Sequence, residues 1–423
     1  MRPRILGLLL SAGIATSACT VNPVTGEKEF SLVSGQQEVS IGEQNYEAYQ
    51  QQQGGAYSVD PELTLYVKEI GQKLAKLSDR PGLPYDFVVL NDSTPNAWAL
   101  PGGKIAINRG LMVLLDDEAQ LAAVLGHEIV HAAARHAAQQ MTQQQVLGIG
   151  VAVAGLAASQ QENGELIGLG LMGGAALYQA HYGRSQELES DRYGMDYMSR
   201  AGYEPQAAVE LQQTFVKLSE GRQADLFSNL FASHPPSQAR VERNREMAKK
   251  LPSGERNRER YQRAIAQLLK DKKAYELHQQ AMQAAGKKDF AKAKQLLKQA
   301  ISAQDQEALF YNSLGQIELG EKDYNSAETQ FRKAYARNPG YFMSSLGLGL
   351  ALKAQKKNTE AIQMLSTSRK ILPTQLASYH LGELSLAEGR RSDAVAYFDE
   401  TAKGGGELGD AAKQKLASLQ PGA

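Results

Sequence analysis

From about residue 274 onward the chain repeats itself, and this periodicity constrains its fold more than any other feature. Four runs align: Gly286-Lys-Lys-Asp-Phe-Ala-Lys-Ala293, Gly320-Glu-Lys-Asp-Tyr-Asn-Ser-Ala327, Gln355-Lys-Lys-Asn-Thr-Glu-Ala361 and Gly389-Arg-Arg-Ser-Asp-Ala394. Their last alanines lie 34, 34 and 33 residues apart, and Pro339 and Pro373 are also 34 apart. A unit of this length holds two helices and a turn, and one such pair cannot bury its apolar face alone. Consecutive pairs must stack. The expected product is an all-α solenoid with a concave groove, four units over residues 274–408, and a capping helix and tail over 409–423.

A 34-residue period with this turn and a proline closing the second helix resembles the tetratricopeptide repeat. The resemblance implies a groove that holds a peptide or another protein. A purely architectural extension is the competing reading.

A chain of 423 residues exceeds one ordinary core, so two or three domains are expected. Lys+Arg and Asp+Glu both number 46, and this balance offers nothing to a polyanion, so nucleic acid is not an expected partner. Residues 1–18 carry Arg2 and Arg4, then an apolar run, then small residues, which is the layout of an export signal. Cys19, the only cysteine, falls where that signal ends, so no disulfide can form within the chain. Its placement resembles a bacterial lipoprotein cleavage box, although Thr16 stands where Leu is usual. That resemblance implies a periplasmic protein anchored to a membrane, the outer rather than the inner, through lipidated Cys19. Ordinary cleavage after Ala18 is the alternative.

Residues 19–55 read as a polar tether and a first helix, and a second domain as 56–245. Within it, Leu63, Val67, Ile70 and Leu74 mark an amphipathic helix over 61–78. Short strands are expected at Phe87-Val-Val-Leu90 and Lys104-Ile-Ala-Ile-Asn108, with a turn at Pro101-Gly102-Gly103. A helix starts near Asp116-Asp117 and runs to about Gln145. Apolar runs at 147–158 and 166–178 fall short of the roughly 18 to 20 residues that cross a bilayer, so packed helices or a hairpin are expected. Residues 246–273, highly charged, read as a helical connector.

That long helix carries Gly126-His127-Glu128-Ile129-Val130-His131. Four residues turn a helix by about 400°, so His127 and His131 share a face and both imidazoles reach one ion. Glu128, about 100° away, lies beside the ion without binding it. Zinc lowers the pKa of its bound water to about 7, and a neighbouring carboxylate takes the proton as the water attacks a peptide carbonyl. One zinc ion per chain is therefore expected, with Glu128 as general base of a peptide hydrolase.

Two histidines leave the site incomplete. The metzincin arrangement needs Gly at 134 and His at 137, where this chain has Ala134 and Ala137. His136 is about 500° from His131 on a continuous helix and is expected to be no ligand. The better candidate is Glu187-Leu-Glu-Ser-Asp191, where Glu187 can complete the site and Asp191 can hold a ligand histidine. Taken alone, that stretch reads as a solvated acidic face.

Several motifs, in order, resemble one family. They are Asn22-Pro-Val-Thr-Gly26, Asn96-Ala-Trp-Ala-Leu-Pro-Gly-Gly103, the HEIVH motif, ELESD followed by Gly194, and Ser233-His-Pro-Pro236 with Arg240. Together they resemble the gluzincin endopeptidases that include HtpX and the CAAX-prenyl endopeptidases, in particular their soluble periplasmic branch. The resemblance implies an α+β zincin-like metalloprotease domain, mostly helical with a small sheet, ahead of the repeat solenoid. It implies Glu187 as third ligand and Asp191 as its support, with Ser190 where relatives commonly have Ala. The strand around Gly103, Lys104, Ile105 and Ala106 is expected to be the edge on which extended substrate pairs. His234 and Arg240 are expected near the metal as oxyanion stabilisers, and His234 can instead occupy the open metal position and silence the enzyme. The role implied is quality control of misfolded envelope or outer-membrane proteins, with the repeats recruiting substrates or an assembly machine. A repeat-based chaperone or adaptor with a latent, self-inhibited protease is the alternative.

Overall fold

A computed structural model describes residues 19–146, 182–220 and 227–419. The expected export signal and both apolar runs after residue 146 lie outside the described residues. Two compact units result. One gathers the described residues up to Tyr46 and those from Glu62 to Ala266; the other takes Glu47–Pro61 and the described residues from Gln267 onward.

The first unit begins with a correction, because the stretch after Cys19 is not a tether. Strand β1 (Cys19–Val21) pairs antiparallel with β2 (Lys28–Phe30). Asn22 makes the hairpin: it is fully buried, and its side-chain oxygen accepts from the amides of Val24 and Thr25 at 2.9 and 3.3 Å. Gly26 closes the turn at φ +77°, a conformation that a Cβ would strain. Helix α1 (Gly35–Gln52) follows, then α2 (Pro61–Ala75), whose Leu63, Val67, Ile70 and Leu74 are buried as their spacing predicts.

The sheet is three-stranded: β3 (Asp86–Leu90), β4 (Ala97–Leu100) and β5 (Lys104–Asn108) in the order β3-β5-β4. Strand β5 runs parallel to β3 and antiparallel to β4. Gly103, Lys104, Ile105 and Ala106 were expected at a sheet edge, but β5 is the central strand. The physical reason is the turn at Gly102 and Gly103, whose φ of +76° and +84° folds β4 back along β5 and occupies that edge. The outer strands of the sheet are β3 and β4.

Helix α3 (Glu118–Ala133) carries the HExxH residues and starts as expected, with the Asp117 carboxylate accepting from the Gln120 amide at 3.0 Å. It does not run on to Gln145. Arg135 sits at φ +64° and breaks it, after which α4 continues over 136–146. Arg135 is buried: its guanidinium donates to the Glu38 carboxylate, to Thr20 Oγ1 at 2.7 Å and to the Val33 carbonyl at 2.5 Å. Helices α5 (Arg184–Arg200), α6 (Gln206–Ser219) and α7 (Gln238–Ala248) complete the surroundings of the site.

The expected connector is also divided differently. Tyr261, fully buried in the short helix Arg258–Ala264, donates to the Met112 carbonyl, and Arg256 bridges Asp117 and Glu210. These residues belong to the first unit. The next helix, Ala266–Gly286, already pairs as the first helix of the first repeat with Phe290–Ala303.

The second unit continues in the same rhythm: Ala308–Gly320 with Tyr324–Arg337, Phe342–Ala354 with Asn358–Ile371, Gln375–Ala387 with Arg391–Lys403, then Gly406–Ser418 as the cap. Each intra-repeat turn holds one residue in the left-handed region, Lys288, Lys322, Lys356 and Gly389, so the motif recurs as a conformation and not only as letters. The aligned alanines Ala293, Ala327, Ala361 and Ala394 are fully buried, as are Leu297, Phe331, Leu365 and Phe398 one turn later. Gln51, from the stretch Glu47–Pro61, donates to the Gly340 carbonyl at 2.8 Å and accepts from the Phe342 amide at 3.0 Å.

Candidate metal centre

The site forms where α5 crosses α3, and two glycines set that crossing. A Cβ on Gly126 would lie 2.9 Å from the Gly194 carbonyl oxygen, and one on Gly194 would lie 2.9 Å from the His127 nitrogen. Only bare backbone allows this approach. Gly194→Val is expected to part the helices, lower stability by about 1–3 kcal/mol and deplete bound zinc, with no ligand changed. Thermal melting and metal analysis check this; a variant that keeps its zinc and melts like wild type would show that the crossing is tolerant.

Crossing at the glycines brings Glu187 and Asp191, one turn apart on α5, against His127 and His131, one turn apart on α3. His234 arrives from the segment after the short helix Ser228–Ser233. Ligand-type atoms of His127, His131, Glu187 and His234 all lie within 4.8 Å of one another. His127 Nε2 is 3.1 Å from His131 Nε2 and 3.3 Å from His234 Nδ1. Glu187 Oε1 is 3.4 Å from His131 Nε2 and 3.0 Å from His234 Nδ1, and Glu187 Oε2 is 3.5 Å from His127 Nε2. Donors bound at zinc distances around a tetrahedral ion stand about 3.3–3.4 Å apart. These spacings, and a donor set of imidazoles plus one carboxylate, fit zinc.

Glu128 stands outside this group. Its Oε1 is 3.5 Å from His234 Nε2, and its buried Oε2 has no hydrogen-bond partner among the described residues. Beside it opens a cleft lined by Ala97, Leu111, Val124, Met195, Leu211 and Phe215. Of the expected substrate strand, none of Gly103, Lys104, Ile105 and Ala106 lines this cleft, whereas Ala97 of the edge strand β4 does.

Asp191 and Arg240 form the layer behind the ligands. Asp191 Oδ1 is 3.1 Å from His127 Nδ1, on the far side of the ring from the cluster. Arg240, placed on α7 by the Ser237 cap, donates from Nε and Nη2 to Asp191 at 2.7 and 2.6 Å. Its Nη1 reaches Glu187 Oε2 at 2.7 Å and the Pro235 carbonyl at 3.1 Å. Every guanidinium nitrogen already has an oxygen partner, which makes Arg240 a buried clamp on two carboxylates, and its side chain also borders the cleft beside Glu128.

Charge follows the same layout. Burial opposes charge on His127, but the Glu187 and Asp191 carboxylates outweigh it and raise the imidazole to about 10. His131 moves the other way, because burial outweighs its contact with Glu187 and holds it well below the usual histidine value. Burial raises Glu128 against the pull of His234 and His127, which suits a base. Burial works against ionisation of Glu187 and Asp191 too, yet both are lowered, Glu187 by His234 and His127, Asp191 chiefly by Arg240.

Sequence reasoning misses Tyr182 and the position of His136. The Tyr182 ring stacks on His131 with centroids 3.7 Å apart and 23° between planes. It precedes Glu187 at no spacing that helical geometry would single out. His136 lies outside the four-donor group, and the break at Arg135 turns it back so that its Nδ1 lies 2.8 Å from His131 Nδ1.

Known proteins resemble this chain in sequence. The Peptidase family M48 model matches residues 61–248, and the tetratricopeptide repeat model matches 278–342 and 319–375. The chain is 24% identical over 452 residues to the beta-barrel assembly-enhancing protease of Yersinia pestis, covering 97% of this chain and 92% of that protein. It is 26% identical to the protein of the same name from Escherichia coli K12, covering 77% and 72%. With mitochondrial metalloendopeptidase OMA1 of Schizosaccharomyces pombe it shares 31% identity, covering 56% of this chain and 68% of the relative. A zinc-fitting cluster built from HExxH and a glutamate on the crossing helix, followed by repeats, places the chain in peptidase family M48 as a metalloendopeptidase.

Proposed function

We propose that the protein is an exported zinc endopeptidase that degrades misfolded or misassembled envelope proteins, outer-membrane β-barrels above all. The observation that carries this reading is the four-donor cluster with Glu128 standing free beside it, over a cleft bordered by the sheet edge. The names of the Yersinia and Escherichia relatives, which span most of this chain, support the β-barrel substrate class. Repeats recruit the substrates or an envelope assembly machine through their groove. Cys19, just ahead of the hairpin turn, is the lipid attachment point that holds the enzyme at the periplasmic face of the outer membrane. None of the described helices is long and apolar enough to cross a membrane.

His127, His131 and Glu187 hold the metal, and Asp191 keeps the His127 ring turned toward it. Bound zinc supplies an acidified water and a Lewis acid for the peptide carbonyl. Glu128 takes the proton from the attacking water and delivers it to the leaving amine. An extended substrate pairs with β4, the outer strand whose Ala97 lines the cleft.

His234 would supply a fourth donor to the bound metal. A catalytic zinc site keeps one position open, whereas the Nδ1 of His234 stands at tetrahedral spacing from His127 and Glu187. The spacing supports a closed resting state, and it also accommodates the second reading, a repeat-based adaptor whose protease is silenced. The test compares wild type and His234→Ala on an unfolded β-barrel protein. Zinc-dependent cleavage is expected, faster in the variant by about tenfold. Cleavage by neither protein overturns the protease reading, and a slower variant returns His234 to oxyanion stabilisation.

A further inference from the structure

We propose that His136 is a positioning residue for the metal ligand His131, held in that role by Glu189 and Asn22, so that the N-terminal hairpin is a working part of the metal centre. The inference rests on the zinc reading above. His131 presents Nε2 to the cluster, 3.1 Å from His127 Nε2 and 3.4 Å from Glu187 Oε1. An imidazole that ligates through Nε2 carries its proton on Nδ1, and the partner of that proton fixes the ring. For His131 the partner is His136 Nδ1, at 2.8 Å in a fully buried pair. His136 therefore accepts at Nδ1 and carries its own proton on Nε2. That nitrogen lies 3.5 Å from Glu189 Oε1, within electrostatic reach but without hydrogen-bond geometry.

Glu189 is fixed in turn. Its Oε1 accepts from the Asn22 amide at 3.1 Å, and the same Nδ2 donates to Glu29 Oε1 at 2.9 Å. The Asn22 oxygen is occupied by the Val24 and Thr25 amides, so the direction in which the amide nitrogen points is set by the hairpin turn itself. The backbone places His136 by the same agency. A continuous helix would carry it off the ligand face, and the turn at Arg135 brings it back. Arg135 is held there by Thr20, Val33 and Glu38. Residues 20–38 thus control His136 twice, through Arg135 and through Asn22. His127 leans on the Asp191 carboxylate, while His131 leans on a second imidazole that needs this longer chain of support.

The experiment measures zinc affinity of the full-length, metal-depleted protein by competition with a chromogenic chelator. His136→Phe keeps the ring volume and removes the acceptor, and is expected to weaken zinc binding by about 10- to 100-fold. His136→Asn, whose side-chain oxygen sits near the position of Nδ1, is expected to recover most of that loss. Space-filling alone would give the opposite order. Glu189→Gln and Asn22→Ala are expected to weaken binding by about three- to tenfold, less than His136→Phe. In cobalt-loaded protein, the visible d–d bands should shift in His136→Phe and return toward wild type in His136→Asn. Zinc affinity of His136→Phe within about twofold of wild type overturns the proposal. If that variant does not fold, unchanged affinity in both Glu189→Gln and Asn22→Ala overturns it. Failure of the wild type itself to bind zinc would instead reject the metal-site reading.

Discussion

Glu128→Gln is expected to cut peptide hydrolysis by about 10³-fold while leaving one zinc ion per chain in place. The substitution is nearly isosteric and touches no donor of the cluster, because Glu128 lies outside the group formed by His127, His131, Glu187 and His234. What disappears is the base. Burial raises the Glu128 carboxyl, its Oε2 has no hydrogen-bond partner among the described residues, and it borders the cleft, so proton transfer is the role its surroundings leave it. Turnover of an unfolded substrate, measured beside metal content, checks both halves of the expectation. Full activity in the variant would sink the assigned role. The same variant separates protease from adaptor in cells: if it supports envelope integrity as well as wild type while loss of the repeats does not, the repeats act alone.

The legible parts of this protein were those whose information is local. His127 with His131, and Glu187 with Asp191, could be paired from their spacing because a helix repeats its face every four residues. The repeats were legible because the same conformation recurs at Lys288, Lys322 and Lys356, and the letters recur with it. What stayed hidden depends on distant partners. The break at Arg135 requires Thr20, Val33 and Glu38, which lie far away in sequence, and nothing at positions 131–140 announces it. The reading of β5 as an edge failed for a related reason: the strand pattern was found, but the neighbouring Ala97–Leu100 was not read as a strand that would cover it. The polar composition of residues 19–34 looked like a tether because buried Asn22 serves backbone amides and not a hydrophobic core.

Residue type and geometry assign Arg240 different roles. A guanidinium near zinc suggests an oxyanion donor, yet this one is buried and bound to Asp191 and Glu187 through charge-assisted contacts of 2.6–2.7 Å. Arg240→Met is therefore expected to destabilise the first unit by about 3–5 kcal/mol, since it leaves two buried carboxylates without their cation. Melting should fall by about 10 °C or more, and zinc should bind more weakly as Asp191 loses its hold on His127. Arg240→Lys should recover little, because one ammonium cannot span both carboxylates as the planar fork does. An oxyanion donor would behave differently: its loss slows turnover and leaves melting temperature and zinc affinity where they were. Calorimetry and chelator competition on the two variants decide between these roles, and a stable, zinc-replete but slow Arg240→Met protein would return Arg240 to the reacting carbonyl.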